Sequence, residues 1–403
     1  MRKPTTKQLQ PEETWDDPLV AELRPIIREA IGKALEDELT RTLGAPRYAR
    51  VAERLGYRNG SEVRELGTPM GRFSIEVPRA RVRGEDGLET EWRSGRLPRY
   101  GRRMRGVDKS ILSIYLSGTN QRRIRGALRP LLKGLPLSKS SVSRLVTRLQ
   151  AEREAWMERN LREEKVAVAY LDGFVVKVRR DGRVVRNPIL IAIGVRDSGE
   201  KILMTMRMAG GENSQAWAQI LEDLKKRGLD APVLAVIDGS LGLRAAVDTV
   251  WPEADVQRCV VHKLRNLLAC APHHAKESVR EDFHAIVYAK NGVAAQQAYD
   301  RFLSRWRKRC EAVARSLEEG GKDLLTFYQF PQEMWKSLRT TNVIERIHGE
   351  MRRRVKTQAA LPNEEAVLNL VYGLFVAGVV RLRRLDGWQK LGEARAKVGK
   401  AAA

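Results

Sequence analysis

The 403-residue sequence predicts an α/β fold: a mixed-sheet core interrupted by an all-helical insertion, preceded by helical and β-ribbon regions. Three observations predict it. Residues 166–171, 188–195, 202–208 and 233–237 are apolar runs with the length and β-branched content of buried strands. Residues 213–228 have a helical pattern that opens at Asn213 or Ser214 and stops at Gly228. Residues 266–335 then read as basic, Trp-containing helix without strand signals.

The elements follow in order. Residues 1–25 are polar and mixed in charge, without an apolar signal core, and no apolar run is long enough to span a membrane. Residues 18–56 read as helix, with Leu19, Leu23, Ile26, Ile27, Ile31 and Leu35 at helical spacing and a break at Gly44-Ala45-Pro46. Residues 62–83 read as a β ribbon that turns at Thr68-Pro69-Met70-Gly71, so that Arg79, Arg81 and Arg83 line one face of its end. A basic stretch runs on to Arg105.

Residues 108–160 return to helix. Gly134-Leu135-Pro136-Leu137 separates two helical patterns, and Ser138 or Ser140 suits the N-cap of the second. A helix-turn-helix would present Lys139, Ser140 and Arg144 to a major groove; an ordinary helical hairpin has the same signature. The strand patterns begin near residue 165, with a tight hairpin turn at Asp181-Gly182. The expected organisation is 1–60 helical, for dimerisation or end binding; 61–105 basic β ribbon; and 106–163 helix-turn-helix-like. It continues with 164–265 as the first part of the sheet core, 266–335 as the helical insertion, and 336–403 as the last part of the core with a C-terminal tail.

Charge indicates the partner. Lys and Arg number 74 against 50 Asp and Glu, a net +24, and a surplus this large points to a polyanion, most commonly nucleic acid. Arginine, suited to bidentate phosphate contact, recurs around Arg79, at Arg122-Arg123 and at Arg352-Arg353-Arg354. Three cysteines are too few for a disulfide framework and fit a reducing, cytoplasmic compartment.

Two carboxylates stand alike. Asp172 and Asp238 each follow an apolar strand and precede glycine. Strand ends of α/β sheets collect ligand sites, and a carboxylate held there suits a hard divalent cation. An Asp-Gly pair is also a common turn. Glu345 is open to two readings: it lies three residues after Asn342, the spacing of a capping box, or it is a third acidic ligand. Glu212 and Glu350 are the next carboxylates should Glu345 be only a cap. Cys259 and His262 form a Cys-x2-His pair, and Cys270 and His273 a second one, which together suggest zinc; a helix over 261–269 would separate the two pairs. Cys259 and His262 otherwise buttress the acidic site, contact its phosphate, or are a core cysteine and a capping histidine.

One series of motifs ties these residues together. Asp238-Gly239-Ser240-Leu241-Gly242-Leu243 leads, after Trp251-Pro252, into Gln257-Arg258-Cys259-Val260-Val261-His262-Lys263-Leu264-Arg265-Asn266. Thr340-Thr341-Asn342-Val343-Ile344-Glu345-Arg346 and the triple arginine follow, with Arg58-Asn59-Gly60 and Val77-Pro78-Arg79 upstream. The series resembles the bacterial Mutator-type insertion-sequence transposases. The resemblance implies a ribonuclease-H-like core, which the order of strands and helix also resembles. It implies a catalytic and metal-binding triad of Asp172, Asp238 and Glu345, supported by Cys259, His262 and Asn342. It also implies a helical insertion in the 107 residues between Asp238 and Glu345.

The implied activity is binding of terminal inverted repeats, then strand cleavage and strand transfer by 3′-hydroxyl attack, with two Mg²⁺ ions for which Mn²⁺ can substitute. Asp172 would bridge both ions, Asp238 hold one and Glu345 the other. Flanking and target DNA are the further partners, contacted by Lys263, Arg265, Arg346 and the triple arginine. Trp335 either stacks on an unpaired base, as a tryptophan does in related transposases with such insertions, or packs a helix core. Holding two DNA ends implies a homodimer or higher oligomer in a nucleoid-associated bacterial protein. A nuclease that hydrolyses without joining, or a non-catalytic DNA-binding regulator, are the alternatives.

Overall fold

The computed structural model describes residues 18–49, 51–84, 86–99, 101–119, 123–124, 126–128, 139–356 and 360–393. The chain divides into two compact units, one from residues 1–115 and 119–145, the other from 116–118 and 146–403.

In the first unit, α1 (Pro18–Leu43) buries Leu35, Leu39 and Leu43, one helical turn apart. They pack on β2 (Gly71–Arg83), which pairs antiparallel with β1 (Gly56–Thr68) and with β3 (Glu89–Glu91). Phe73, Ile75 and Val77 alternate inward; the alternation then slips by one, opposite the register irregularity between Arg58 and Ser61 of β1, so that Ala80 is buried and Arg79, Arg81 and Arg83 face outward. Arg58 fastens β1 to the helix, with Nε 2.9 Å from Glu36 and Nη2 donating to Thr40 at 2.8 Å. The helix is shorter than expected: Gly44, at φ 65°, closes it, and 45–49 and 51–55 are not helical. The ribbon begins at Gly56 rather than at residue 62, because polar β1 carries no alternation and takes its strand form from pairing with β2.

Helix α2 (Arg105–Leu116) and the start of α3 (Lys139–Met157) contribute Val107, Ile111 and Val142 to a small core. The expected turn at 134–137, Ser138 and Arg122 lie outside the described residues, as does the Lys139 side chain.

The second unit is built on a five-stranded sheet in the order β6-β5-β4-β7-β8. β4 (Val166–Arg180), β5 (Arg183–Arg196) and β6 (Lys201–Met208) form an antiparallel meander. β7 (Leu234–Ile237) and β8 (Asp255–Arg258) continue the sheet in parallel. The β4–β5 turn is Asp181-Gly182, both at positive φ, as that dipeptide predicts. α4 (Ser214–Lys226), capped by Asn213, and α5 (Leu241–Val250) cover one face with Trp217, Leu221, Leu224, Leu243 and Val247.

After β8 come α6 (Val260–Cys270), α7 (Lys276–Val287), α8 (Gly292–Arg309) and α9 (Glu311–Gly320), then α10 (Trp335–Leu338), α11 (Asn342–Val355) and α12 (Glu364–Val376). The helical stretch expected from residue 266 therefore begins at Val260. No described helix is long and apolar enough to cross a membrane.

Candidate active site

Strand register brings the two aspartates together. Leu171 of β4 pairs with Ile237 of β7, which pairs with Arg258 of β8. Parallel neighbours lie about 4.8 Å apart, so the residues that follow, Asp172, Asp238 and Cys259, emerge side by side. Asp172 does not end its strand, as the sequence suggested; β4 runs on past it because β5 keeps pairing to the hairpin turn. What ends there is β7, which leaves Asp172 on the overhang, 4% exposed and accepting from the Gly173 amide at 2.8 Å. Asp238 closes a local turn, accepting from the Ser240 amide at 2.8 Å.

Cys259, 1% exposed, is the N-cap of α6, and its amide donates to the Ile237 carbonyl at 2.7 Å. His262 follows in the first turn. Its Nε2 lies 3.7 Å from Glu345 Oε1 on α11, and Arg265 Nη2 donates to that oxygen at 3.2 Å. Glu345 therefore makes no capping box. The N-cap is Thr341, without a side-chain cap bond, and Asn342 is the first helical residue. Asn342 is exposed and lines a separate cleft with Arg346, Lys336 and Ser337. The residue fully buried beside Asp172 is Thr341, the neighbour of Asn342, and the Thr341 amide donates to Cys259 Sγ at 3.4 Å. The sequence carries no signal that separates these two roles.

The charges are coupled. Burial pushes the Asp172 carboxyl up to about 7, with His262 pulling it down and Asp238 pushing it further up. Interaction with the Cys259 thiol raises His262 to about 9 against the cost of burial, and Asp172 and Asp238 add to the rise. Burial alone would raise the Cys259 thiol, but His262 and Thr341 outweigh it and lower it. His262 is therefore an imidazolium at neutral pH, set among carboxylates.

Asp172, Glu212, His262, Arg265, Glu345 and Arg352 share the lining of an open cavity of about 810 Å³. Glu212 is raised first by burial and then by Asp238, whereas Glu350 is tied to Arg353 and Arg354. Phe174 stacks on His348 at 4.4 Å between ring centroids. Lys177 and Arg186 also line the cavity; the sequence offered only their place in a basic hairpin. Among the described residues, no three His, Cys, Asp or Glu side chains converge on one point. Helix α6 separates Cys259, at its start, from Cys270, at its end.

Several expected DNA contacts lie elsewhere. Lys263 is 2% exposed and is bound to Glu319 Oε2 at 2.6 Å, so burial removes it from any DNA surface. Trp335 packs on Tyr328, and its indole donates to the Phe330 carbonyl at 2.7 Å. Arg354 donates to the Leu116 carbonyl at 3.0 Å. Arg81, Arg123, Ser140 and Arg144 are exposed in the first unit, and Arg79 lies 3.4 Å from Glu91.

A family model described as transposase, Mutator family, matches residues 5–378. The chain belongs to the Mutator family of transposases. The transposase is 35% identical over 354 residues to the transposase for insertion sequence element ISRM5 of Rhizobium meliloti (strain 1021), covering 88% of this chain and 87% of that one. It is 32% identical to the transposase for insertion sequence element IS905 of Lactococcus lactis subsp. lactis (strain IL1403), covering 87% and 88%. A crystal structure of a pre-cleavage Mos1 transpososome aligns with it at 12% identity and TM-score 0.16, over 56% of this chain and 80% of that one, too weak a likeness to bear on the fold.

Proposed function

We propose that this transposase binds the terminal inverted repeats of an insertion sequence, and cuts and joins DNA at Asp172, Asp238 and Glu345. The observation that carries the reading is the register of β4 and β7. It sets two carboxylates side by side at the end of a parallel strand pair, and the first of them, Asp172, shares its cavity with Glu345 of α11. The strand order supports a ribonuclease-H-like core: an antiparallel meander whose first strand pairs parallel with the next two-stranded segment.

The Asp172–Asp238 pair fits a hard divalent ion. It consists of carboxylate oxygens, and a buried Asp172 beside Asp238 is a repelling pair that a cation relieves. Asp172, Asp238 and Glu345 would hold two Mg²⁺, or Mn²⁺, which when bound activate the attacking oxygen and stabilise the leaving one. The chain's own groups do the rest. The Asp172 carboxyl is held by the Gly173 amide, with Thr341 beside it. The His262 imidazolium donates to a non-bridging phosphate oxygen as charge builds there. Arg265 and Arg352, on the cavity wall, draw the backbone in. Two DNA ends processed together call for at least a homodimer.

The test is strand transfer with Mg²⁺, a duplex carrying the element end with flanking DNA, and a target plasmid. The parent should join the duplex to the plasmid. Glu345→Gln should fail to join while binding the same duplex in EDTA. Joining that persists in the variant removes Glu345 from the site, and hydrolysis without joining by the parent makes the protein a nuclease.

A further inference from the structure

We propose that Lys177 and Arg186 form a clamp for a backbone phosphate of the DNA strand that enters the carboxylate cavity. The inference rests on the DNA chemistry proposed above and adds a binding element to it. The two residues are directly opposite in the β4–β5 register, so their side chains share one face of the hairpin. Both are exposed and both line the cavity that holds Asp172 and Glu345.

Neither side chain makes an ion pair or hydrogen bond with a described residue. The other cations of the cavity are engaged: Arg265 with Glu345, and Arg352 with the His348 ring at 3.1 Å. Farther along the same strand, Arg196 is matched by Glu200 at 2.6 Å. Like charges set directly across a hairpin destabilise it. Two of them left facing each other in a DNA-processing cavity mark the place of an anion.

The surroundings specify a nucleotide strand. Val175, two residues before Lys177 and so on the same face, is 55% exposed and lines the same cavity. It offers an apolar shelf for a sugar or base beside the cations. Lys177 lies five positions along the strand from Asp172, about 16 Å at the usual rise. The clamp therefore grips a phosphate a few nucleotides from the one that reacts. Arg186 supplies the planar fork and Lys177 the point charge.

The experiment measures binding of the full-length chain in EDTA, by fluorescence anisotropy across a salt series. The probes are a terminal-repeat duplex with flanking DNA and an unrelated duplex of equal length. For the double variant Lys177→Gln/Arg186→Gln, affinity should fall several-fold and the log–log salt slope should shrink by about 1, the signature of one lost phosphate contact. Its melting temperature should stay level or rise, since a repulsion has gone. Arg186→Glu, which puts an acid opposite Lys177, should melt higher still and bind equally poorly. Loss on the terminal-repeat duplex alone assigns the phosphate to the element end; equal loss on both assigns it to DNA of any sequence, as a target is. Unchanged affinity and slope on both duplexes overturns the clamp, as does a drop in melting temperature in both variants. Because binding is read without metal, joining retained by Asp172→Asn would sink the carboxylate chemistry while leaving this result intact.

Discussion

Asp172 sits where desolvation costs most. Its carboxyl rises from an ordinary 3.8 to about 7, chiefly through burial. A folded-state value above the unfolded one means that the folded protein holds the proton more tightly. The stability tied to it is fully present below about 3.8 and is lost as pH rises through about 7. Asp172→Asn keeps the acceptor for the Gly173 amide and removes the buried charge. It should match the parent near pH 4 and be more stable at pH 8, by a difference on the order of 4 kcal/mol, read by urea denaturation at both values. No pH-dependent gap would mean that the carboxyl is better solvated than its burial implies. Metal binding needs the ionised form, so the Mn²⁺ affinity of DNA-free protein should fall about tenfold per unit below pH 7; a flat titration would count against Asp172 as a ligand. His262, raised to about 9, stays charged through that range, so it does not contribute to the fall.

At the scale of elements, the acidic turn is tied to the helical insertion. Arg258, at the end of β8, donates to the Gly239 carbonyl at 2.8 Å, to the Glu319 carbonyl at 2.6 Å and to its carboxylate at 2.9 Å. Lys263 of α6 reaches the other Glu319 oxygen. Glu319→Gln leaves two largely buried cations facing one neutral amide. Since the Glu319 side chain is 44% exposed, the cost is screened to about 1–2 kcal/mol, read from the shift in denaturant midpoint. Gly239 has φ 103°, and a Cβ there would lie 2.6 Å from Arg258 Nη2. Gly239→Ala should cost about 1–3 kcal/mol and lower strand transfer more than DNA binding, because it moves the turn that carries Asp238. Equal losses in both assays would place the damage in the fold as a whole.

The whole molecule is an arginine-rich surface whose charge is only partly matched internally. Arg79, Arg83, Arg196, Arg227, Arg307 and Arg353 all meet carboxylates, yet the net charge is +24. Phosphate contacts should dominate DNA affinity, which should then drop on the order of a thousand-fold between 50 and 200 mM salt. Salt-insensitive binding would show that the surplus charge serves something other than DNA.

The strands, their hairpin turn and the helices after β8 were legible in the residues alone, because apolar periodicity and Asp-Gly geometry are local properties. The sequence also pointed to Asp172, Asp238 and Glu345 through their motifs. What it could not determine was set by register and packing. Asp172 lies mid-strand because β5 keeps pairing past it, a non-local fact. Thr341 rather than Asn342 caps α11, and the Glu345 carboxylate turns to Arg265 and His262, because α6 happens to lie within reach. Lys263 reads in sequence like any basic DNA-facing residue, yet it is buried against Glu319, 56 positions away in the chain. Lys177 and Arg186 carry no motif at all. Only the hairpin register, which places them face to face over the cavity, makes them a pair.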